Sequence, residues 1–443
     1  MSGLRYSARL RASWALAVTA VALTAVPSQT QTPALDRYLP ELRRNLEQAI
    51  IPYWYPGSID GEHGGFAINS TEDGRLAPTT RRMMVSQARM VWLSARLARE
   101  GYRVEEMKRA AAHGFAFLRD RMWDQEHGGF YWEIDAGSGA VAQPNKHVYA
   151  QAFGLYGLSE YYMATGDAAG LELAAKVAET LERRAHDPEF GGYREYFARD
   201  WSPLPPDTPS PIGGTAAMKL MNTHLHVMEA FANYFRASRD WLTRERLDEL
   251  IAIQSNAVIR KQYPACTDQY LRDWTPVLDA AAARVSYGHD VENVWLLVDA
   301  LDAVGRPTGP YLDLYKGLFA YSRTHGFDEE KGGFFESGPL GQPADRRNKI
   351  WWVQAEALVS ALTMYKLTKE PSYLDAFDRT LRFVQEQQTD WTGGEWHPTI
   401  LPDGSPRGLK ATVWKAGYHD GRSMVESLRL VREVTASSTN PQD

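Results

Sequence analysis

Four short segments carry side chains that would do chemistry if they met. M-N-T-H-L-H-V-M-E-A begins at Met221, H-D-V-E-N-V-W at His289, W-W-V-Q-A-E at Trp351 and W-K-A-G-Y-H-D-G-R at Trp414. At helical spacing Asn222 and His226 share one face while His224 points elsewhere, and Trp352 and Glu356 are likewise four apart. His289, Glu292 and Trp295 fall near one stripe. S-Q-A-R-M-V-W adds Arg89 beside Trp92, and His419 with Trp414 adds a third imidazole and another indole. These segments are otherwise apolar. An ionisable group inside an apolar helix must be paired or used, so a shared cavity is the reading that accounts for all of them.

Neutral-range bases around a cavity suit proton transfer at carbon: imidazole titrates near pH 6.5, so one histidine accepts while another donates. That chemistry belongs to an isomerase or epimerase. The rival is glycoside hydrolysis, which needs two carboxylates about 5–10 Å apart; Glu292 and Glu356 could supply them, but three histidines would then have no task. A catalytic metal is not expected, because His224 and His226 face different ways on a helix and no H-E-x-x-H or Cys/His cluster is present. No cofactor motif occurs either. Tryptophans on such helices serve equally as packing or as sugar-stacking platforms. His63, His127, His325 and Asp124 sit in turns, where solvation or capping is the ordinary role.

The elements that must position these residues are written in a repeat. D-G-E-H-G-G-F ends at Phe66, W-D-Q-E-H-G-G-F begins at Trp123, D-P-E-F-G-G-Y ends at Tyr193, D-E-E-K-G-G-F-F ends at Phe335, and a variant G-G-E-W starts at Gly393. The glycine pairs recur at intervals of 64, 63, 141 and 61 residues, so the long interval hides a degenerate copy near residues 260–275. A period of about 65 residues implies six units and is taken as the architecture. An amphipathic helix precedes each turn, as in Ala111, Phe115, Leu118 and Met122. A helix apolar on most sides follows about 20 residues later, and the chemical side chains lie on these second helices. Buried helices alternating with half-exposed ones describe an inner ring within an outer ring: an all-α, closed (α/α)6 barrel with short β-hairpins in the connecting loops. An open solenoid would need polar end caps, which the first and last inner segments lack.

Composition bounds the rest. The chain has 443 residues, is 44% hydrophobic and 23% charged, and carries a net charge of −6. Scattered Lys and Arg leave no basic footprint for nucleic acid or an anionic membrane. Residues 1–30 read as a signal peptide, with Arg5, Arg9 and Arg11 before a short apolar run, implying export to the periplasm or beyond. Residues 33–435 are expected to form the single barrel domain and 436–443 a disordered tail. Cys266, the sole cysteine, is expected to be a buried small hydrophobe.

The motifs N-T-H-L-H-V-M-E-A, G-H-D-V-E-N-V-W-L-L, W-W-V-Q-A-E-A and W-K-A-G-Y-H-D-G-R, in that order, resemble those of the cellobiose 2-epimerases, within the N-acylglucosamine 2-epimerase superfamily. The resemblance runs from about residue 35 to about 432. It implies an (α/α)6 barrel that interconverts the reducing-end glucose and mannose of β-1,4-linked disaccharides such as cellobiose and mannobiose. Members acting on N-acetylglucosamine or on mannose are the alternatives it leaves open. His289 and His419 correspond to the acid/base pair, and His226 to the histidine assisting ring opening, with Asn222 beside it. Arg89 corresponds to the arginine facing the enediolate. Glu292 and Glu356 correspond to carboxylates that bind hydroxyls or orient a histidine, and Trp352, Trp414 and Trp295 to indoles against the sugar. The expected partner is a small-molecule disaccharide, for a protein that is a monomer or weak dimer.

Overall fold

The computed structural model describes residues 35–439. The expected signal peptide lies outside the described residues. Twelve helical segments alternate between two rings. The outer ring is α1 (35–54), α3 (Val104–Phe117), α5 (Ala168–Arg184), α7 (Trp241–Ala252), α9 (Leu312–Gly326) and α11 (Pro371–Phe383). The inner ring is α2 (Met84–Arg99), α4 (Val148–Thr165), α6 (Met221–Ser238), α8 (Tyr287–Val304), α10 (Trp351–Thr368) and α12 (Tyr418–Thr439). Fourteen of the sixteen residues of α2 are buried, against six of the fourteen in α3, which separates an enclosed helix from a half-wetted one. The last helix runs to Thr439, so it takes in the first residues of the expected tail.

Each outer helix ends in a tight turn closed by a single antiparallel bridge. The bridges are Ile59 with Phe66, Trp123 with Phe130, His186 with Tyr193, Phe327 with Phe334 and Thr389 with Trp396. The fourth turn spans the same eight residues, from Ile259 to Cys266, with a second bridge between Arg260 and Ala265 and without a glycine pair. The degenerate copy is therefore at K-Q-Y-P-A-C. In the first, second, third and fifth turns the two glycines are both left-handed, as at Gly128 (φ 72°) and Gly129 (φ 74°), a conformation costly for any residue with a Cβ, while in the last turn Gly394 (φ 74°) and Glu395 (φ 66°) take these places.

The expected loop hairpins are present, as where Glu133–Asp135 pairs with Val141–Gln143 and Thr399–Ile400 with Pro406–Arg407, and strand pairing also runs between units. The strand before each inner helix pairs with the strand after the next turn: Arg81–Met83 with Glu133–Asp135, Lys146–His147 with Tyr196–Phe197, Lys219–Leu220 with Gln269–Tyr270, Arg284–Ser286 with Ser337–Pro339, and Lys349–Ile350 with Thr399–Ile400. The sixth link closes the ring, where the Ala411 N–H donates to Ser70 Oγ at 3.1 Å. Outer helices close too. Tyr38 OH reaches Asp378 at 3.0 Å, and Asn45 donates to Thr389 Oγ1 at 2.8 Å and accepts from the Trp396 indole at 2.7 Å.

Two clamps hold the turns. The turn aspartates meet a cation from the strand ahead of the inner helix: Arg82 with Asp60 at 2.6 Å, Lys146 with Asp124 at 3.0 Å, Lys219 with Asp187 at 3.0 Å and Lys349 with Asp328 at 2.8 Å. Meanwhile Gln87, Gln151 and Gln354 each accept from and donate to the backbone of the turn aromatic, Phe66, Phe130 and Phe334. His224 and Asp290 occupy the same place in α6 and α8, accepting from the N–H of Tyr193 (2.9 Å) and of Cys266 (2.8 Å). Cys266 is buried as expected.

Candidate active site

Two residues beyond these five clamping positions, the inner helices turn a different set of side chains to the barrel axis, Arg89, Phe153, His226, Glu292 and Glu356, and α12 adds Arg422. A step of two residues rotates the side chain by about 200°, so one row faces the turns and the other faces inward. Above the second row opens a cleft of about 390 Å³ lined by Arg89, Tyr149, Asn222, His226, His289, Glu292, Trp352, Trp414 and His419 among others. Most of these lie in the first two turns of their helices. The positive ends of the inner helices thus converge on the cleft and favour negative charge within it.

Three imidazoles face this space. His419 donates through Nδ1 to Glu356 Oε1 at 2.6 Å, and His226 through Nδ1 to Glu229 Oε2 at 2.8 Å. Burial alone would raise both carboxyls. Arg422 and the two histidines instead hold Glu356 and Glu229 down at about 2, so both remain acceptors. With Nδ1–H committed to a carboxylate, each histidine keeps an Nε2 lone pair for a substrate proton. His289 packs on Trp352 with ring centres 4.8 Å apart, and Trp352 lies 6.0 Å from the His419 ring. That approach needs Gly288, where a Cβ would stand 2.4 Å from Trp352 Cζ3. Burial lowers His289 and His419 to about 3 and lowers His226 as well, leaving all three neutral.

Arg89 lies over the Phe153 ring at 4.3 Å and donates to Tyr149 OH at 3.2 Å and to the Trp414 carbonyl at 3.4 Å. Beneath the cleft, Arg422 Nη2 is shared between Glu292 Oε1 at 3.0 Å and Glu356 Oε1 at 2.8 Å, while Nη1 meets Glu229 and Tyr418. Glu292, Glu356 and His419 offer ligand atoms within 4.8 Å of one another. That is close enough to suggest a metal, but the Arg422 guanidinium already bridges the two carboxylates. Glu356 has both oxygens engaged, with the Trp295 indole donating to Oε2 at 2.9 Å, so it is no free nucleophile for hydrolysis.

Eight of the ten sequence-predicted residues line the cleft. Glu356 does not; it stands behind His419 and accepts its Nδ1–H at 2.6 Å. Trp295 requires correction: it sits below the ion cluster, facing a cavity at the opposite end of the barrel with Arg96, Asn233 and Arg236. Six residues after His289 is nearly two helical turns, which carries it past the cleft floor. Trp414 reaches the mouth from the loop before α12 and not from an inner helix. His224 faces its turn, as its spacing implied. Sequence reasoning missed Tyr149 and Trp351, both at the start of inner helices, and Pro211 and Ile212, which reach in from a proline-rich loop. It also missed Glu229 and Arg422. A signal for these two existed: His226, His289 and His419 are each followed three residues later by a charged group, Glu229, Glu292 and Arg422.

Neutral imidazoles beside a guanidinium, at the positive ends of an inner helix ring, make this an (α/α)6-barrel enzyme of the isomerase class. The family is then particular: the description of N-acylglucosamine 2-epimerase (GlcNAc 2-epimerase) matches residues 64–420, and the chain belongs to that family. It is 32% identical over 402 residues to the cellobiose 2-epimerase of Dictyoglomus turgidum, covering 88% of this chain and 98% of that one. The solved structure of cellobiose 2-epimerase from Spirochaeta thermophila DSM 6192 superimposes with a TM-score of 0.82 at 31% identity, covering 92% of this chain and all of that one. The D-mannose isomerase of Marinomonas mediterranea is 27% identical over 412 residues, 88% of this chain and 97% of that one.

Proposed function

We propose that this chain is a sugar 2-epimerase that interconverts glucose and mannose at the reducing end of β-1,4-linked disaccharides, cellobiose and mannobiose among them. The observation that carries the reading is the pair His289 and His419, both neutral and both packed on Trp352 inside one cleft. The sugar opens to its aldehyde with help from His226. One of the paired histidines takes the C2 proton, leaving a cis-enediolate whose charge Arg89 and the helix N-termini stabilise. Rotation about the C1–C2 unit exposes the opposite face, and the other histidine returns a proton there. No bond to the second sugar is touched, and no metal or cofactor enters the sequence of steps. Trp414, 39% exposed at the mouth, is placed to pack against the second sugar, which favours a disaccharide over a single ring.

The test is incubation in D2O with cellobiose, mannobiose, mannose and N-acetylglucosamine, followed by NMR. Deuterium at C2 of an intact, epimerised disaccharide is expected. Free glucose would mean hydrolysis, and fructose from mannose would move the chain to the mannose isomerase branch of the family. We propose also that the enzyme works outside the cytoplasm, on the strength of the basic and then apolar residues 1–30. N-terminal sequencing of the protein recovered from a periplasmic fraction tests this, an uncleaved cytoplasmic chain being the adverse result.

A further inference from the structure

We propose that Arg422 is a positioning residue for both His226 and His419, acting through Glu229 and Glu356, and that it leaves Glu292 as a hydrogen-bond donor to the sugar. The inference rests on the epimerase reading above and goes beyond it. Three carboxyl groups surround one buried guanidinium, so they cannot all be charged at equal cost. Glu356 receives His419, Arg422 and Trp295, at 2.6, 2.8 and 2.9 Å. Glu229 receives His226 and Tyr418 at 2.8 Å each, together with Arg422. Glu292 receives only Arg422, at 3.0 Å, and its buried Oε2 has no protein partner. Donor number therefore assigns the negative charges to Glu356 and Glu229 and the remaining proton to Glu292, which lines the cleft. Burial and then Glu356 push the Glu292 carboxyl well above its ordinary range, in the same direction.

Without Arg422 both carboxylates lose their shared cation. Each His–Glu pair then takes up a proton at higher pH, and the Nδ1–H tautomers are no longer enforced. The titratable and charged groups facing these pairs and Arg422 are Arg89 from α2, Tyr149 and Tyr156 from α4, His289 and Glu292 from α8, and Tyr418 and Glu426 from α12. All are retained in the variants below.

The full chain is compared with Arg422→Met and Arg422→Lys by melting temperature, pH–rate profile and NMR of 15N-labelled histidine. For Arg422→Met the expected result is a kcat loss of about 10²–10³-fold with KM changed less than about threefold, and an acid limb moved up by about one pH unit. The Nδ1–H signals of His226 and His419 should also be lost. Lysine keeps the charge without the fork that reaches carboxylates on two sides. Arg422→Lys is therefore expected to keep the acid limb near that of the parent and to recover only part of kcat. A folded Arg422→Met with the parental acid limb and histidine spectrum overturns the proposal. So does activity that falls only in step with the folded fraction. If Arg422→Met does not fold, a parental kcat and spectrum in Arg422→Lys overturn it. The tautomer signals need no turnover, so they decide the matter even if the unmodified chain exchanges no deuterium at C2.

Discussion

His224 and His226 stand two residues apart on one helix and belong to different regions of the molecule. His224 faces outward and accepts the Tyr193 N–H, the task that Gln87, Gln151, Gln354 and Asp290 perform on other inner helices. His226 faces the axis, where the matching positions hold Arg89, Phe153, Glu292, Glu356 and Arg422. In the outward row the side chains differ but the job repeats. In the inward row the residues share no common job. A six-fold repeat thus separates the two kinds of demand: what each unit needs to fold recurs, and what only the assembled ring can do does not.

The comparison breaks first at the cleft that opens above the inward row. His289→Ala or His419→Ala should lower epimerisation by about 10²–10⁴-fold, the usual worth of a general acid or base. Melting should stay near that of the parent, and a double variant that still exchanges C2 deuterium would refute the assignment. Gln354→Ala in the outward row should do the reverse. It strips partners from the buried N–H and carbonyl of Phe334, costing about 1–3 kcal/mol for each group left unsatisfied, while kcat of the folded enzyme changes less than about twofold. Denaturant unfolding alongside kinetics would settle which row Gln354 serves. Trp414→Ala should raise KM for a disaccharide about tenfold, the loss of about 1.4 kcal/mol of contact, and leave any single-ring substrate unaffected.

The smallest change in rate, and the sharpest contrast, is His224→Gln beside His226→Gln. Glutamine already does the outward job on three helices, so His224→Gln should keep activity within about twofold, whereas His226→Gln should not. His224→Gln should also widen the acid range of stability. Burial holds His224 and His147 down to about 3, below the histidine range of an unfolded chain. Below pH 6.5 the unfolded chain therefore binds more protons, and stability falls as pH drops from 6.5 toward 3. Each such histidine contributes a slope of up to about 1.4 kcal/mol per pH unit. Removing one should flatten the decline in melting temperature between pH 6.5 and 5.

The barrel was legible because its period is written in the turns, and the cleft because ionisable residues stand out on apolar helices. The degenerate turn was placed within a few residues, although K-Q-Y-P-A-C reaches the same bridge without glycines. Less legible was depth along a helix. Trp295 and Glu292 share a stripe, but half a turn or more decides whether a residue lines the cleft or lies beneath it, and spacing does not mark the floor. Arg422 was hidden for a related reason. Its partners come from α6, α8 and α10, and only ring closure brings them within reach. Pro211 and Ile212 belong to a segment with no periodicity at all.

That closure has a consequence for the order in which the protein is made. Tyr38, Asn45 and Ser70 find their partners in Asp378, Thr389, Trp396 and Ala411, more than 330 residues later. A polypeptide still emerging from the ribosome can stack its early units, but it has no far wall. Until α12 arrives, Glu229, Glu292 and Glu356 are three acids with no guanidinium among them, and the cleft has no His419. Chemistry therefore waits for the twelfth helix, and a chain stopped short of it is left without a working site.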